Sequence, residues 1–235
     1  MNERINGLQS SEQRFEVNND NHMNTNDFFI PWEAVANDWI SSRDIIEQII
    51  NISSSSRNLV WRGVSNASYS LHSSLYRKLL NKLGVPPTEA QMVSAETRII
   101  KAARNSWRFD DLSALEIFAQ IQHYGGPTRF LDVTYNPLIA LWFAVEEKFD
   151  EHGSPLPDAD ARLFAFDASR NQIKLDAIWG GYDLPWKDAQ IEDWSTKLPG
   201  LWRPPEYNPR ISAQNSAFLL GGVPKVIKGA NARYT

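Results

Sequence analysis

The stretch from Ser113 to Phe149 admits few backbone paths. Ser113-Ala114-Leu115-Glu116 has capping-box spacing, with a hydroxyl and a carboxylate placed to satisfy the first free N–H groups of a helix. Ile117, Phe118 and Ile121 follow at helical spacing. That helix has to stop near Gly125-Gly126-Pro127, because Gly frees the backbone and Pro cannot continue a helix. Thr128 to Thr134 alternates as a strand does. Asn136-Pro137 then opens a second helix, with Asn as N-cap and Pro at the first helical position. Leu138, Leu141, Trp142, Val145 and Phe149 recur at i, i+3, i+4, i+7 and i+11, which predicts the core face of that helix.

The remainder can be read around this helix–strand–helix unit. Residues 1 to about 27 are rich in Asn, Gln, Glu and Ser, and read as a flexible tail that cannot offset its ordering entropy. From Phe28 the composition turns globular, and residues 28–235 read as one domain. Trp39, Ile45, Ile46, Ile49 and Ile50 give a helix with Ser41 or Ser42 as its cap, ended by Ser53-Ser54-Ser55-Ser56. Leu59 to Val64 reads as a buried strand, stopped by Gly63 and Ser65-Asn66. Thr88-Glu89-Ala90-Gln91 is another capping box, and Met92, Val93, Ile99, Ile100 and Ala103 form the stripe behind it. Strands are expected at Leu163–Phe166, Ile173–Leu175 and Ala217–Leu220. Residues 180–209 form a long irregular stretch rich in Gly, Pro and Trp. Thr235 ends the sequence abruptly, so the natural chain is expected to continue.

Composition removes several function classes. The 235 residues contain no Cys, which excludes disulfides, thiolate metal sites and a Cys nucleophile. The four His (His22, His72, His123 and His152) form no metal-binding pair, and no metal is expected. A net charge of −4 gives no general attraction to nucleic acid or anionic lipid. There is no apolar run of about 18 residues, and Met1-Asn2-Glu3-Arg4 opens no signal-peptide core. A cytoplasmic protein with no membrane partner is the expectation.

Several clusters have chemical potential, each with a plain structural alternative. Arg62 lies inside an apolar strand and needs an acceptor there. A structural pair with Asp132 and the binding of a phosphate or carboxylate both supply one. His123 to Arg129 gathers an imidazole, a phenol, a hydroxyl and a guanidinium around a Gly-rich turn; a simple helix C-cap would look the same. Asp132 and Thr134, two apart on a strand, are expected on one face. They line a ligand pocket, or else Asp132 and Asn136 cap the next helix. His72, Ser74, Tyr76 and Arg77 form either a pocket wall or a polar loop. Arg210, Ser212, Gln214 and Ser216 alternate before the last strand, as a solvent face also does. The aromatics Trp179, Tyr182, Trp186, Trp194, Trp202 and Tyr207 either stack on bases or pack the long loop down.

Trp61-Arg62-Gly63 and the run from Gln122 to Ala144 carry a family resemblance. Trp61-Arg62-Gly63 resembles the Phe/Trp-Arg-Gly motif of the FRG domain. Gln122-His123-Tyr124-Gly125-Gly126-Pro127-Thr128-Arg129 and the Leu131-Asp132 and Asn136-Pro137 that follow are similar to its second signature. His72, Leu75, Tyr76 and Arg77 fit a further run, and Arg210 to Phe218 a weaker one in which Ser216 replaces the usual Gly. The resemblance spans about residues 55–222. A remoter one, to ADP-ribosyltransferases, rests on the order of these features. It implies an α+β fold, with helices packed around a bent, mainly antiparallel sheet, and NAD as the nucleotide. It implies that Arg62, with Gly63, His72, His123, Tyr124, Thr128, Arg129 and Thr134, holds NAD. Arg62, Asp132 and Gln214 would then serve transfer of ADP-ribose to a protein or nucleic-acid target. Gln214 takes the late-strand place usual for Glu, so the missing charge falls to Asp132 or Glu206, or the domain binds a nucleotide without turnover. A toxin or antiphage defence effector, held by an antitoxin-like partner, is the setting this implies; a nucleotide sensor or nucleic-acid interaction module is the other.

Overall fold

A computed structural model describes residues 34–53, 58–150, 152–169, 171–187, 191, 194, 199–205 and 214–223. The chain divides into two compact units at Ser55–Ser56. The first contains helix α1, Trp39–Ile52. Its N-cap is Asp38, whose carboxylate accepts from the Ser41 backbone N–H at 2.7 Å, while the Ser41 hydroxyl accepts from the Asp38 N–H. Ser41 is therefore the third helical residue, and neither it nor Ser42 is the cap. A carboxylate at the N-cap also favours the positive end of the helix.

The second unit holds every motif discussed above. Its described elements are β1 (Leu59–Val64), α2 (Ser74–Leu83), α3 (Glu89–Trp107), α4 (Ala114–His123), β2 (Leu131–Thr134), α5 (Pro137–Val145), β3 (Arg162–Asp167), β4 (Gln172–Ile173), β5 (Gly200–Trp202) and β6 (Ser216–Leu220). The strands form one six-stranded sheet in the order β3-β1-β2-β6-β5-β4. Every pairing is antiparallel except β4 with β5. This is the expected α+β class with a mainly antiparallel sheet. Among the described residues no helix is long and apolar enough to cross a membrane.

The capping boxes at Thr88 and Ser113 both form, and Asn136 caps α5 with Pro137 behind it. Helix α2 runs where a polar loop was one of the two readings; Ser73 caps its start and Gly84, at φ +70°, ends it. The 128–134 strand is shorter than its alternation predicts. Thr128 and Arg129 are drawn out of it by hydrogen bonds to α2 and α3, and only Leu131–Thr134 pairs.

Two departures concern α5. Gly63 does not stop β1, which continues to Val64. Its role is to let α5 approach: a Cβ there would lie 1.8 Å from the Ala140 carbonyl oxygen. Ala140 and Ala144 are accordingly the buried residues of the helix. Leu138, Trp142, Val145 and Phe149, predicted as core, are exposed. Phe143 between them is apolar too, so the helix offers hydrophobic side chains all round, and the tight Gly63 contact selects the small-residue face.

The core is aromatic. Phe118, Phe130, Trp202 and Phe218 pack with ring centroids 5.0–5.9 Å apart. Trp186 and Trp194 stack at 5.3 Å, with Trp179 tilted against both. Trp186 and Trp202 are buried and Trp179 and Trp194 pack against this cluster. These indoles tie the described part of the irregular stretch to the core. Tyr182 is exposed; Tyr207 lies outside the described residues.

Candidate functional site

Strands β1 and β2 are neighbours, with Trp61 opposite Thr134. Their pairing brings Arg62 to Asp132. Arg62 Nη1 donates to the Asp132 main-chain oxygen at 2.7 Å and lies 3.9 Å from its Oδ2. Arg62 Nε is buried and makes no hydrogen bond. Burial works against the Arg62 charge, Asp132 supports it, and Arg77 opposes it again; the net result is a pKa below the ordinary arginine value. The carboxylate is mostly exposed and over 3.5 Å away, so it is a partial counter-ion.

The other oxygen of Asp132 is held from α4. Gln122 Nε2 donates to Asp132 Oδ1 at 2.6 Å, and Gln122 Oε1 accepts from the Thr128 hydroxyl. Gln122 therefore fixes the carboxylate that faces Arg62. Its motif position was visible in sequence, but its role was not, because the contact depends on how α4 meets β2.

Arg77 extends the cationic side, with His72 beside it. Arg77 Nη1 donates to the His72 carbonyl at 2.6 Å, and the His72 ring stacks on Tyr76 at 4.3 Å. His72 Nε2 is buried without a hydrogen bond. Burial, and then Arg77, hold the imidazole below its ordinary value of 6.5. Two unpartnered buried nitrogens, on Arg62 and His72, thus share the field of Arg77. Buried polar groups are nearly always satisfied, so such nitrogens point to a partner from outside the chain.

The remaining motif residues have other tasks. Thr128 is fully buried. Its N–H donates to the Ser74 hydroxyl at 3.0 Å and its carbonyl accepts from Leu75 N–H at 3.0 Å, which docks the start of α2. Arg129 was expected to hold NAD, yet it is almost wholly buried in a separate network. Its Nη2 donates to Glu96 Oε2 at 2.6 Å and lies 2.9 Å from Glu89 Oε1, and its Nη1 donates to the Gly221 carbonyl at 3.0 Å. Trp186 Nε1 donates to the same Glu96 oxygen at 2.9 Å, and the guanidinium lies 4.8 Å from that indole ring. All three guanidinium nitrogens have acceptors, so Arg129 is a structural cation.

Thr134 is likewise engaged: its hydroxyl donates to the Gln214 carbonyl at 2.6 Å and accepts from the Asn136 N–H at 3.0 Å. Asp132 is exposed and Thr134 is buried, so they do not line one open face. Gln214 is placed beside β2 by its main chain through that bond. Gly125, at φ +78°, and Gly126 close the end of α4; Gly126 N–H donates to the Ile121 carbonyl at 2.8 Å. That is the C-cap reading of the turn. His123 and Tyr124 stand exposed at its edge, edge to face at 5.0 Å. Gly63 faces α5. Glu206, Arg210 and Ser212 lie outside the described residues.

The motifs expected to converge therefore do so through Arg62, Asp132 and Gln122, with His72 and Arg77 alongside. Among the described residues no group of three or more His, Asp or Glu is placed to hold a metal. What the arrangement can do is bind an anion: it offers two unsatisfied nitrogens and a surplus of positive charge beside one carboxylate. No curated protein and no solved structure matches the chain. The FRG domain model matches residues 57–153, from the approach to β1 to just beyond α5, and leaves β6 and Gln214 outside. The Arg62–Asp132–Gln122 constellation lies wholly within that match, and over residues 57–153 the chain is similar to the FRG domain.

Proposed function

We propose that the Arg62, His72 and Arg77 cluster binds the phosphates of NAD, and that the domain transfers ADP-ribose to a protein or nucleic-acid acceptor. The observation that carries the reading is the Arg62 guanidinium, whose Nε is buried without a partner while the Asp132 carboxylate stands 3.9 Å from Nη1. An arriving pyrophosphate supplies the missing acceptor. In the transfer, the bond between nicotinamide and ribose C1 breaks and the pair leaves with nicotinamide. The acceptor then bonds to C1 and releases its proton. Positive charge grows on the ribose, and Asp132, oriented by Gln122, is the nearby carboxylate to stabilise it. The remoter resemblance to ADP-ribosyltransferases supports NAD over other nucleotides.

A second reading, nucleotide sensing without turnover, is favoured by one observation: Gln214 takes the late-strand place and brings no charge. One experiment separates the two. The chain is incubated with NAD labelled in the adenosine half, with a panel of proteins and nucleic acids, alongside Arg62→Ala and Asp132→Asn. Transfer or hydrolysis that both substitutions abolish supports the enzyme. Saturable binding without turnover, lost in Arg62→Ala, supports the sensor. No binding by the wild type overturns both.

A further inference from the structure

A second group of cations lies away from Arg62, between α3 and the segment that follows residue 180. A cavity of about 210 Å³ is lined there by Lys101, Arg104, Asn105, Tyr182, Asp183 and Lys187, among others. Arg104 is 6% exposed. Its Nη2 donates to the carbonyls of Tyr182 at 2.7 Å and Leu112 at 3.2 Å. Its Nε and Nη1 are buried and bond to nothing. Those two nitrogens carry three N–H bonds, and leaving them unmade is costly in a buried guanidinium. The Tyr182 ring covers one face of the guanidinium at 3.2 Å, which supports its charge and supplies no acceptor. Neither Lys101 nor Lys187 has an ion-pair partner among the described residues.

We infer that this cavity is a binding site for a phosphate monoester. Three cations line it against one carboxylate, Asp183, so the surplus is two positive charges. A phosphate monoester carries about −1.5 to −2 at pH 7, which matches that surplus better than a carboxylate's single charge. Its oxygens are acceptors only toward cations, and the unmade Arg104 N–H bonds are donors only. Asn105 and the exposed Tyr182 ring border the cavity, so the esterified group has a polar edge and an aromatic face to lie on. The cavity volume holds a small phosphorylated metabolite. The site is independent of the Arg62 cluster and of the reading given to it.

Titration calorimetry of the full chain with inorganic phosphate, with acetate as the singly charged comparison, tests this. Variants are Lys101→Ala/Lys187→Ala, whose changes lie at the cavity rim and spare the core, Arg104→Lys, and Arg62→Ala. A saturable phosphate site is expected in the wild type and in Arg62→Ala, at least tenfold weaker in the double lysine variant, and absent for acetate. Absence of saturable phosphate binding in the wild type overturns the proposal. So does phosphate affinity unchanged in the double lysine variant, or acetate binding as tightly as phosphate. Should Arg104→Lys lose its fold, the lysine variant alone decides.

Discussion

Arg62 reaches Asp132 chiefly through the main chain: Nη1 donates to the Asp132 carbonyl oxygen at 2.7 Å, while the carboxylate stands 3.9 Å away. The side chain of Asp132 is instead held by Gln122. The guanidinium is thus positioned by an acceptor that no substitution at 132 removes, and it retains donors for a ligand. Arg62→Lys keeps the charge and loses the second donor direction. If the cluster binds NAD as proposed, that binding is expected to weaken by about 10- to 100-fold, as for a lost charged hydrogen bond of about 1.5–3 kcal/mol. Asp132→Asn is expected to leave affinity within a few-fold and to reduce turnover. Titration and single-turnover measurements on both variants check the split.

His72 confers a pH dependence of defined sign. Its imidazole is held below 6.5 in the folded chain. As pH falls through about 6.5 the unfolded chain takes up the proton first, so stability contributed above that pH is lost on acidification. His72→Gln is expected to reduce the drop in urea midpoint between pH 7.5 and 5.5. An equal drop in both proteins would remove His72 from the account.

The Arg129–Glu96 pair is expected to be intolerant of single changes. Arg129→Met leaves the Glu96 carboxylate buried with only Trp186 to bond it, at a cost of about 3–5 kcal/mol. Arg129→Met combined with Glu96→Leu is expected to recover a large part of that. Denaturant unfolding of the two singles and the double measures the coupling. A near-zero coupling energy would contradict the network.

Gly63→Ala drives a methyl group into the Ala140 carbonyl at 1.8 Å. Backbone, not a flexible side chain, is what it meets, so the helix has to move. A loss of about 3 kcal/mol or more is expected, at the upper end for overpacking, seen as a lower thermal midpoint with Arg62 itself untouched.

Trp142→Gln tests the opposite expectation. Trp142 is 56% exposed despite its place in the apolar stripe of α5. Its replacement is expected to change stability by no more than about 0.5 kcal/mol. A loss of several kcal/mol would return that face to the core.

Local signals were legible and long-range ones were not. Leu59–Val64 and the boxes at Thr88 and Ser113 are encoded by residues within a few positions of one another, and they form as read. The burial of α5 was misread because periodicity cannot choose a face on a helix that is apolar all round. Gly63, from another element, makes the choice. Arg129 lay in a motif dense with polar groups, yet its partners Glu89 and Glu96 are on α3, dozens of residues earlier. Gln122 was passed over for a similar reason: its partners Thr128 and Asp132 belong to its own motif, but only the turn of the chain at Gly125-Gly126 aims it at them. The site was legible as a set of residues and not as an assignment of tasks.

The strand order carries a kinetic consequence. β1 and β2 are adjacent in the sheet, yet Arg62 and Asp132 are 70 residues apart, with α2, α3 and α4 folded between them. β6, which flanks β2, arrives some 80 residues later still. Closing a loop of that length costs entropy before the contact returns any stabilisation, which slows its formation relative to local contacts. The anion site therefore has local parts, the Gln122–Asp132 and His72–Arg77 bonds, and one long-range seam: Arg62 meets Asp132 only when β1 pairs with β2, and that contact in a refolding experiment would report the pairing.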